Sequence, residues 1–194
     1  MSIAADVSIL VLMENTNLTD QFLIAMPSLK DPNFEKTVTY ICAHNEEGAM
    51  GIVINKPLDI ELGEIFEQME INTSNAIAKQ KPVYQGGPVH IDRGFILHKS
   101  ATSWDSSIIV SDKISVTTSK DILEAMAQGE GPEDALIALG YAGWDSGQLE
   151  EEILHNAWLN GPADQDIIFH TPYQDCWHVA VKHLGVDLEK LSSD

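Results

Sequence analysis

The stretch TVTYICAHNEEGAMGIVIN, Thr37 to Asn55, decides the fold class. Its first and last seven residues are rich in β-branched and apolar side chains, which favour strands. Between them, HNEEG supplies turn-forming residues and one glycine. Two such runs around a short polar turn predict an antiparallel β-hairpin. Gly51, inside the second strand, predicts a bulge or the close approach of another backbone.

Strands and helices alternate on both sides of this hairpin. Apolar residues at helical spacing predict helices over Leu58–Met69, Thr117–Gln128, Pro132–Leu139, Gly147–Leu159 and Thr171–Gly185. Asp59 is the predicted N-cap of the first of them. Short apolar runs predict strands at Gln21–Met26, Arg93–Lys99, Ser106–Ser111, Gly140–Trp144 and Asp166–His170, and a polar segment predicts a surface loop at Ile71–Lys81. Because a hairpin opens this order and no linker or repeat interrupts it, we expect a single α+β domain with a mixed sheet.

The charge of the chain excludes several classes of function. Its 194 residues include 30 acidic and 11 basic ones, which gives a formal net charge of -19. Proteins that bind nucleic acids directly neutralise phosphates with clustered Lys and Arg, whereas the basic residues here are scattered and include a single arginine, Arg93. We therefore predict no direct nucleic-acid binding and no binding to an anionic membrane surface.

The sequence also predicts a cytoplasmic location. It has no run of the roughly 18 apolar residues that a membrane-spanning helix needs, and no basic residue precedes the apolar run Val7–Met13, as a signal peptide would require. Cys42 and Cys176 are the only cysteines, and two distant cysteines are not a disulfide framework.

Two Cys-x-His pairs are candidate metal ligands. Cys42 and His44 lie on a predicted strand, where residues i and i+2 share a face. Cys176 and His178 lie on a predicted helix, where i and i+2 are about 200° apart and cannot chelate together. Cys176 falls on the apolar stripe of that helix, which predicts a buried, unreactive thiol. We therefore expect no metal and no cofactor.

QGGPVHIDRG, Gln85 to Gly94, is the second unusual stretch. Paired glycines before a proline form either a tight connection between strands or a turn that presents backbone N–H groups to an anion. The stretch matches neither the dinucleotide fingerprint nor the phosphate-binding loop. For Arg93 we expect an ion pair with a carboxylate, or else contact with an anionic ligand.

GYAGWDSGQLEEEI, Gly140 to Ile153, predicts a strand followed by a helix that is capped by Asp145 or Ser146. The positive end of the helix dipole stabilises the three consecutive glutamates in the first turns. Because these glutamates already supply negative charge, the helix start is unsuitable for binding a phosphate. Trp144, between two glycines, is a candidate for a recognition surface.

Several stretches together resemble the YqgE/AlgH family of small bacterial proteins. They are FLIAMPSLKDPNFEKTVTYICAHNEEGAMGIVINKPL, YQGGPVHIDRGFILH and GYAGWDSGQLEEEI, in that order and spacing. The resemblance implies an α+β fold whose mixed sheet is wrapped into a barrel-like form and flanked by helices, in a cytosolic bacterial protein. It implies no established reaction. One branch is described as a transcriptional regulator, so we expect any such role here to be indirect, through a protein or a small ligand.

The resemblance starts at about Leu18. Family members begin only a few residues before the FLIAMP stretch, which makes Met13 a natural start. We therefore divide the chain into an N-terminal extension or misassigned start, residues 1–17, and one YqgE/AlgH-like domain, residues 18–194.

Two hypotheses for function follow. The first is a non-enzymatic binding or regulatory protein with no catalytic residues. The second is an enzyme or metabolite-binding domain with a pocket near Arg93 and Trp144. The candidate binding surface, where the glycine-rich segments are expected to converge, consists of Asn55, Lys56, Gly86, Gly87, Pro88, Arg93, Trp144 and Gln148.

Overall fold

A computed structural model describes residues 17–100 and 102–187 of the chain. The predicted extension therefore lies outside the described residues, apart from Asn17. The described strands are β1 (Gln21–Ala25), β2 (Val38–Asn45), β3 (Gly48–Val53), β4 (Pro57–Glu61), β5 (Pro82–Gln85), β6 (Val89–Lys99), β7 (Ser107–Ile109), β8 (Ile114–Thr117), β9 (Ala135–Asp145) and β10 (Trp158–Pro162).

The helices are interleaved with the strands along the chain. In the same residues they are α1 (Leu62–Gln68), α2 (Ala76–Lys79), α3 (Lys120–Gln128), α4 (Gln148–Leu154), α5 (Gln165–Phe169) and α6 (Tyr173–His183). None of these helices is long and apolar enough to cross a membrane.

One mixed sheet joins all ten described strands. Its main path runs β10-β1-β2-β3-β9-β6-β8-β7, and β5 adds to β9 and carries β4 on its other side. The pairing of β5 with β9 is parallel and the other pairings are antiparallel. The sheet curls into a half-barrel with helices packed against it, so the predicted α+β fold with a mixed, barrel-like sheet is confirmed.

The hairpin of β2 and β3 is also confirmed, with a shorter turn than the sequence indicated. A register shift between Ile41 and Ala43 leaves Cys42 as an extra residue in β2. Gly51 lies opposite this bulge, and a Cβ atom there would lie 2.7 Å from the Thr39 side chain. The bulge reverses which residues of β2 face each side of the sheet.

Three apolar clusters hold the helices on the sheet. α6 covers the largest with Cys176, Trp177, Ala180 and Val181, and the Trp177 indole nitrogen donates to the carbonyl of Ala25 over 2.9 Å. α1 and α3 pack on a second cluster. α4 covers a third, which contains Trp144 and Trp158.

Two predicted elements are of the wrong type. Pro132–Leu139 is no helix, because Ala135 begins β9, the strand with three partners at the centre of the sheet. Asp166–His170 is no strand: Asp164 caps α5 by accepting hydrogen bonds from the amides of Asp166 and Ile167.

The segment Leu58–Met69 divides into two elements. Its first residues form β4, where burial alternates along Pro57–Glu61, and the N-cap of α1 is Glu61 rather than Asp59. The segment Ile71–Lys81, predicted to be a loop, contains α2, which Asn75 caps. The helix predicted over Gly147–Leu159 ends at Leu154, and β10 follows it.

Candidate functional site

A groove of about 490 Å³ lies where β2, β3, β9 and the start of β6 run side by side. Its floor consists of Ala43, Met50, Val89, Tyr141 and Gly143, and its rim carries Asn45, Glu47 and Asp145. Met50 and Tyr141 also pack against the apolar cluster under α6, so the floor continues the core on that face of the sheet.

The register of the strands places these residues in rows. Met50 pairs with Ala43 on one side and with Gly143 on the other, and Val89 pairs with Tyr141. A Cβ atom on Gly143 would lie 3.3 Å from Cε2 of Tyr141 and 3.9 Å from Cγ2 of Val89. Since residue 143 has no side chain, the floor stays open beside the Tyr141 ring.

Tyr141 is the centre of an aromatic group at one end of the groove. Its ring lies 5.5 Å from that of Phe95 in a T-shaped contact and 6.0 Å from that of His90. The guanidinium of Arg93 lies over the Phe95 ring, 5.6 Å from the centroid. The expected ion pair of Arg93 is wrong for the described residues, because its contact there is this cation-π interaction.

Two exposed carboxylates stand at the other end of the groove. Asp145 pairs with Gly48 across β9 and β3, and Glu47 directly precedes Gly48. Within the described residues, neither carboxylate has a hydrogen-bond or ion-pair partner. The amide of Glu47 instead donates to Oδ1 of Asn45 over 2.8 Å, which fixes the turn.

Four residues of the predicted surface hold loops and strands together. Asn55 accepts from the amide of Val38 and donates to the carbonyl of Lys36, and Lys56 donates to the carbonyl of Pro32 over 2.7 Å. Gly86 and Gly87 are buried against β9, where added Cβ atoms would lie 2.3 Å and 2.1 Å from backbone atoms. The paired glycines thus allow a close backbone contact between neighbouring strands.

The remaining predicted residues lie in two places. Pro88 is exposed beside Val89 at the start of β6. Trp144 and Gln148 meet at Glu152: the Trp144 indole donates to Oε2 over 2.9 Å and the Gln148 amide to Oε1 over 2.9 Å. Of the eight predicted residues, Trp144 alone lines the groove. The predicted caps Asp145 and Ser146 are wrong, because the N-cap of α4 is Gly147 at φ 75°.

The structure separates the first Cys-x-His pair. Cys42 lies in the core cluster under α6, whereas His44 Nε2 lies 2.7 Å from Glu150 Oε1 of α4. The bulge at Cys42 causes this, since it breaks the alternation that would have put both side chains on one face. No group of three or more His, Cys, Asp or Glu in residues 17–100 and 102–187 could hold a metal ion.

Several histidines have structural partners that occupy both ring nitrogens. His98 is buried, donates from Nδ1 to the carbonyl of Lys99 and accepts at Nε2 from Thr117. Burial lowers the pKa of His98. His170 lies between Asp134 and Asp166, at 2.7 Å and 3.0 Å. The residues that line the groove include no Ser, Thr, Cys, His or Lys, and their ionisable side chains are those of Glu47, Tyr141 and Asp145.

Comparison with known proteins shows the family of the chain. A model of the AlgH-like family matches residues 22–189. The chain belongs to this family. A UPF0301 protein of Thioalkalivibrio sulfidiphilus is 59% identical over 93% of this chain and 96% of its own length. A UPF0301 protein of Hahella chejuensis is 57% identical over 92% of this chain and 95% of its own length.

Two solved structures agree with the fold. The solution structure of AlgH from Pseudomonas aeruginosa is 47% identical, with a TM-score of 0.78 over 93% of this chain and 95% of that one. A crystal structure of a protein from Corynebacterium diphtheriae matches with a TM-score of 0.72 over 93% of this chain and 94% of that one. Its identity is 20%, so it supports the fold alone.

The sequence prediction missed Met50, Tyr141 and Gly143. All three lie inside stretches that the sequence singled out, AMGIVIN and GYAGWD. The available signal was a glycine within a strand, which marks a close approach or an open face. Applied to Gly143, that signal would have indicated the groove floor.

Proposed function

We propose that this AlgH-like protein is a non-enzymatic binding protein that holds its ligand or partner in the groove formed by β2, β3, β9 and β6. The observation that carries the proposal is the groove floor: small and apolar residues lie open beside Tyr141, and the lining contains no Ser, Thr, Cys, His or Lys side chain. Such a surface supplies contact area and shape, which suits recognition rather than bond making.

The cost of Gly143 supports a role for the open floor. A glycine inside a strand is less favourable than alanine by roughly 0.5–1 kcal/mol. Gly143 has no positive φ and no backbone atom of another strand against it, since its nearest neighbour is the Tyr141 ring. Its conformation therefore does not require glycine. A Cβ atom there would lie 3.3 Å from Cε2 of Tyr141 and press on that ring, so glycine leaves room for the ring and for the open floor beside it.

We also propose that any regulatory role is indirect and that the protein is cytoplasmic. With a net charge of -19, direct contact with DNA is disfavoured, so any part in transcriptional regulation would act through a protein or a small ligand. Both cysteines are buried free thiols, which is typical of the reducing cytoplasm.

A second candidate is a metabolite-binding or catalytic pocket near Arg93 and Trp144. The contacts from Arg93 to Phe95 and from Phe95 to Tyr141 favour it, because they bring the one guanidinium near the groove floor. It predicts that an anionic compound stabilises the protein and that Arg93→Ala removes the effect.

Thermal unfolding against a library of metabolites, metal ions and peptides tests both candidates. A ligand at about 100 times its dissociation constant adds roughly 2.7 kcal/mol, which raises the midpoint by several degrees at about 2–4 °C per kcal/mol. We expect Gly143→Val to abolish the shift, because its side chain would stand on the floor beside Tyr141.

The matched control is Gly94→Val in β6. A Cβ atom on Gly94 meets no atom within 4 Å, and Gly94 does not line the groove. This variant should keep the ligand-induced shift. A shift that survives in Gly143→Val would contradict the proposed site, and one that is lost only in Arg93→Ala would favour the second candidate.

A further inference from the structure

The two ends of the groove differ in charge. Glu47 and Asp145 stand at the turn end, on either side of Gly48, and their carboxylates have no partner within the described residues. In a chain with 30 acidic residues against 11 basic ones, this mouth attracts cations and repels phosphates and carboxylates.

Apolar side chains that can adapt to a ligand lie directly beside these carboxylates. Met50 follows Gly48 by two residues on β3, and Tyr141 and Val89 lie in the next row. Methionine adapts its shape to what it contacts, and a tyrosine ring offers apolar area together with a hydroxyl group. A ligand that fits both parts carries a positive charge next to an apolar group.

The exposure of the groove indicates the size of its occupant. Ala43, Asn45, Glu47, Gly143 and Asp145 are all exposed to solvent. A small molecule usually buries roughly 70–90% of its surface in its binding site. A groove that is open to solvent on one side does not bury that much of a small ligand. A segment of a larger chain can leave its outer face in solvent.

On the basis of the proposed function, we infer that the groove binds an extended basic segment of a partner protein. Apolar side chains of the segment lie on Met50, Val89 and Tyr141, and a lysine or arginine side chain reaches Glu47 and Asp145. In an extended segment successive side chains alternate in direction, so an alternation of basic and apolar residues satisfies both parts of the groove.

Three labelled peptides of about ten residues test this inference by fluorescence anisotropy. They alternate valine with lysine, with glutamine or with glutamate. We expect the lysine peptide to bind at least about tenfold more tightly than the other two at low salt. It should lose affinity at about 1 M salt, because the Debye length there is only about 3 Å and exposed ion pairs are screened.

The charge variants identify the carboxylates. Glu47→Gln with Asp145→Asn should weaken the lysine peptide about tenfold, the expected sum of two exposed ion pairs. The matched control is Glu67→Gln with Glu130→Gln, which removes the same charge from exposed residues outside the groove lining. It should leave the affinity within about twofold.

The outcomes separate this inference from the proposed site. If the glutamine or glutamate peptide binds more tightly than the lysine peptide, and Gly143→Val abolishes that binding, the inference of a basic segment is overturned and the groove remains the binding site. Binding of the lysine peptide that Gly143→Val leaves unchanged would overturn both. Equal weakening by the two charge variants, displacement of the peptide by spermidine at equal concentration, or no binding of the lysine peptide would overturn the inference.

Discussion

His44 Nε2 lies 2.7 Å from Oε1 of Glu150, which is 106 residues further along the chain. The other ring nitrogen, Nδ1, accepts a hydrogen bond of 3.0 Å from the amide of Leu18. Because an accepting nitrogen carries no proton, Nε2 holds the ring proton and donates a hydrogen bond to Glu150. The ring therefore ties β2 to α4 and to the residues before β1, and neither nitrogen is left to act as a base.

Replacing His44 tests this tie. His44→Ala leaves the Leu18 amide and the Glu150 carboxylate without their partner, so the free energy of unfolding should fall by about 1–3 kcal/mol. Urea unfolding followed by circular dichroism measures it. His183→Ala, at an exposed position near the end of α6, is the control and should change stability by less than about 0.5 kcal/mol. Equal stability of the two variants would refute the tie.

Glu152 is the acceptor for two tryptophans. Its Oε2 accepts from Trp144 over 2.9 Å and from Trp158 over 2.8 Å. Glu152→Ala should cost about 1–3 kcal/mol for each indole N–H that loses its partner, and the native tryptophan emission should change. The exposed neighbour Glu151→Ala is the control. Unchanged emission and stability in Glu152→Ala would show that the indoles do not depend on this carboxylate.

The sequence predicted best where local pattern and tertiary contacts agree. The hairpin of β2 and β3 has β-branched strands and a polar turn, and both survive in the structure. Ala135–Leu139 failed because its alanines and leucines also suit a helix, whereas its place between β3, β5 and β6 is set by contacts distant in sequence. Such contacts override intrinsic propensity.

The groove could be predicted only in part for the same reason. Trp144 stood out by its residue type. Met50, Val89 and Tyr141 come together through the register of β9 with β3 and β6, and a one-residue change of register would turn them to the other face. The misread start of β9 hid that register.

The two thiols should be unreactive in the folded protein. Burial raises the pKa of Cys42 and of Cys176 to about 12, and the thiolate is the reactive form. We expect iodoacetamide at about pH 8 to add nothing to the native protein and to modify both cysteines in denaturant. Intact mass measures the adducts. A rapid adduct on the native protein would contradict the buried position of that thiol.

The cluster around Asp134 predicts a pH dependence of stability. The hydrogen bond to Asp134, and then that to Asp166, raises the pKa of His170 above its usual 6.5. Hydrogen bonding, first of Lys99, lowers the pKa of Asp134 below its usual 3.8. The His170 contribution is complete below 6.5 and is lost as the pH rises through the raised pKa. The Asp134 contribution is complete above 3.8 and is lost as the pH falls through the lowered pKa.

The variant His170→Gln measures the His170 part. Its thermal midpoint should lie below that of the wild type at about pH 5.5, and the gap should close towards about pH 9, where the imidazole of the wild type is neutral. His183→Gln, outside the cluster, should show the same gap at both pH values. A gap for His170→Gln that widens as the pH rises would contradict the assigned ion pairs.

The most direct test of the central claim is to map binding on the protein itself. Amide and methionine methyl chemical shifts of isotope-labelled protein are followed by NMR during titration with the lysine and valine peptide. We predict shifts concentrated in residues 43–50 and 141–145, with the methyl group of Met50 among the most affected. Shifts confined to another surface, such as the exposed edge at Ile108 and Ile109, would show that the groove is not the binding site.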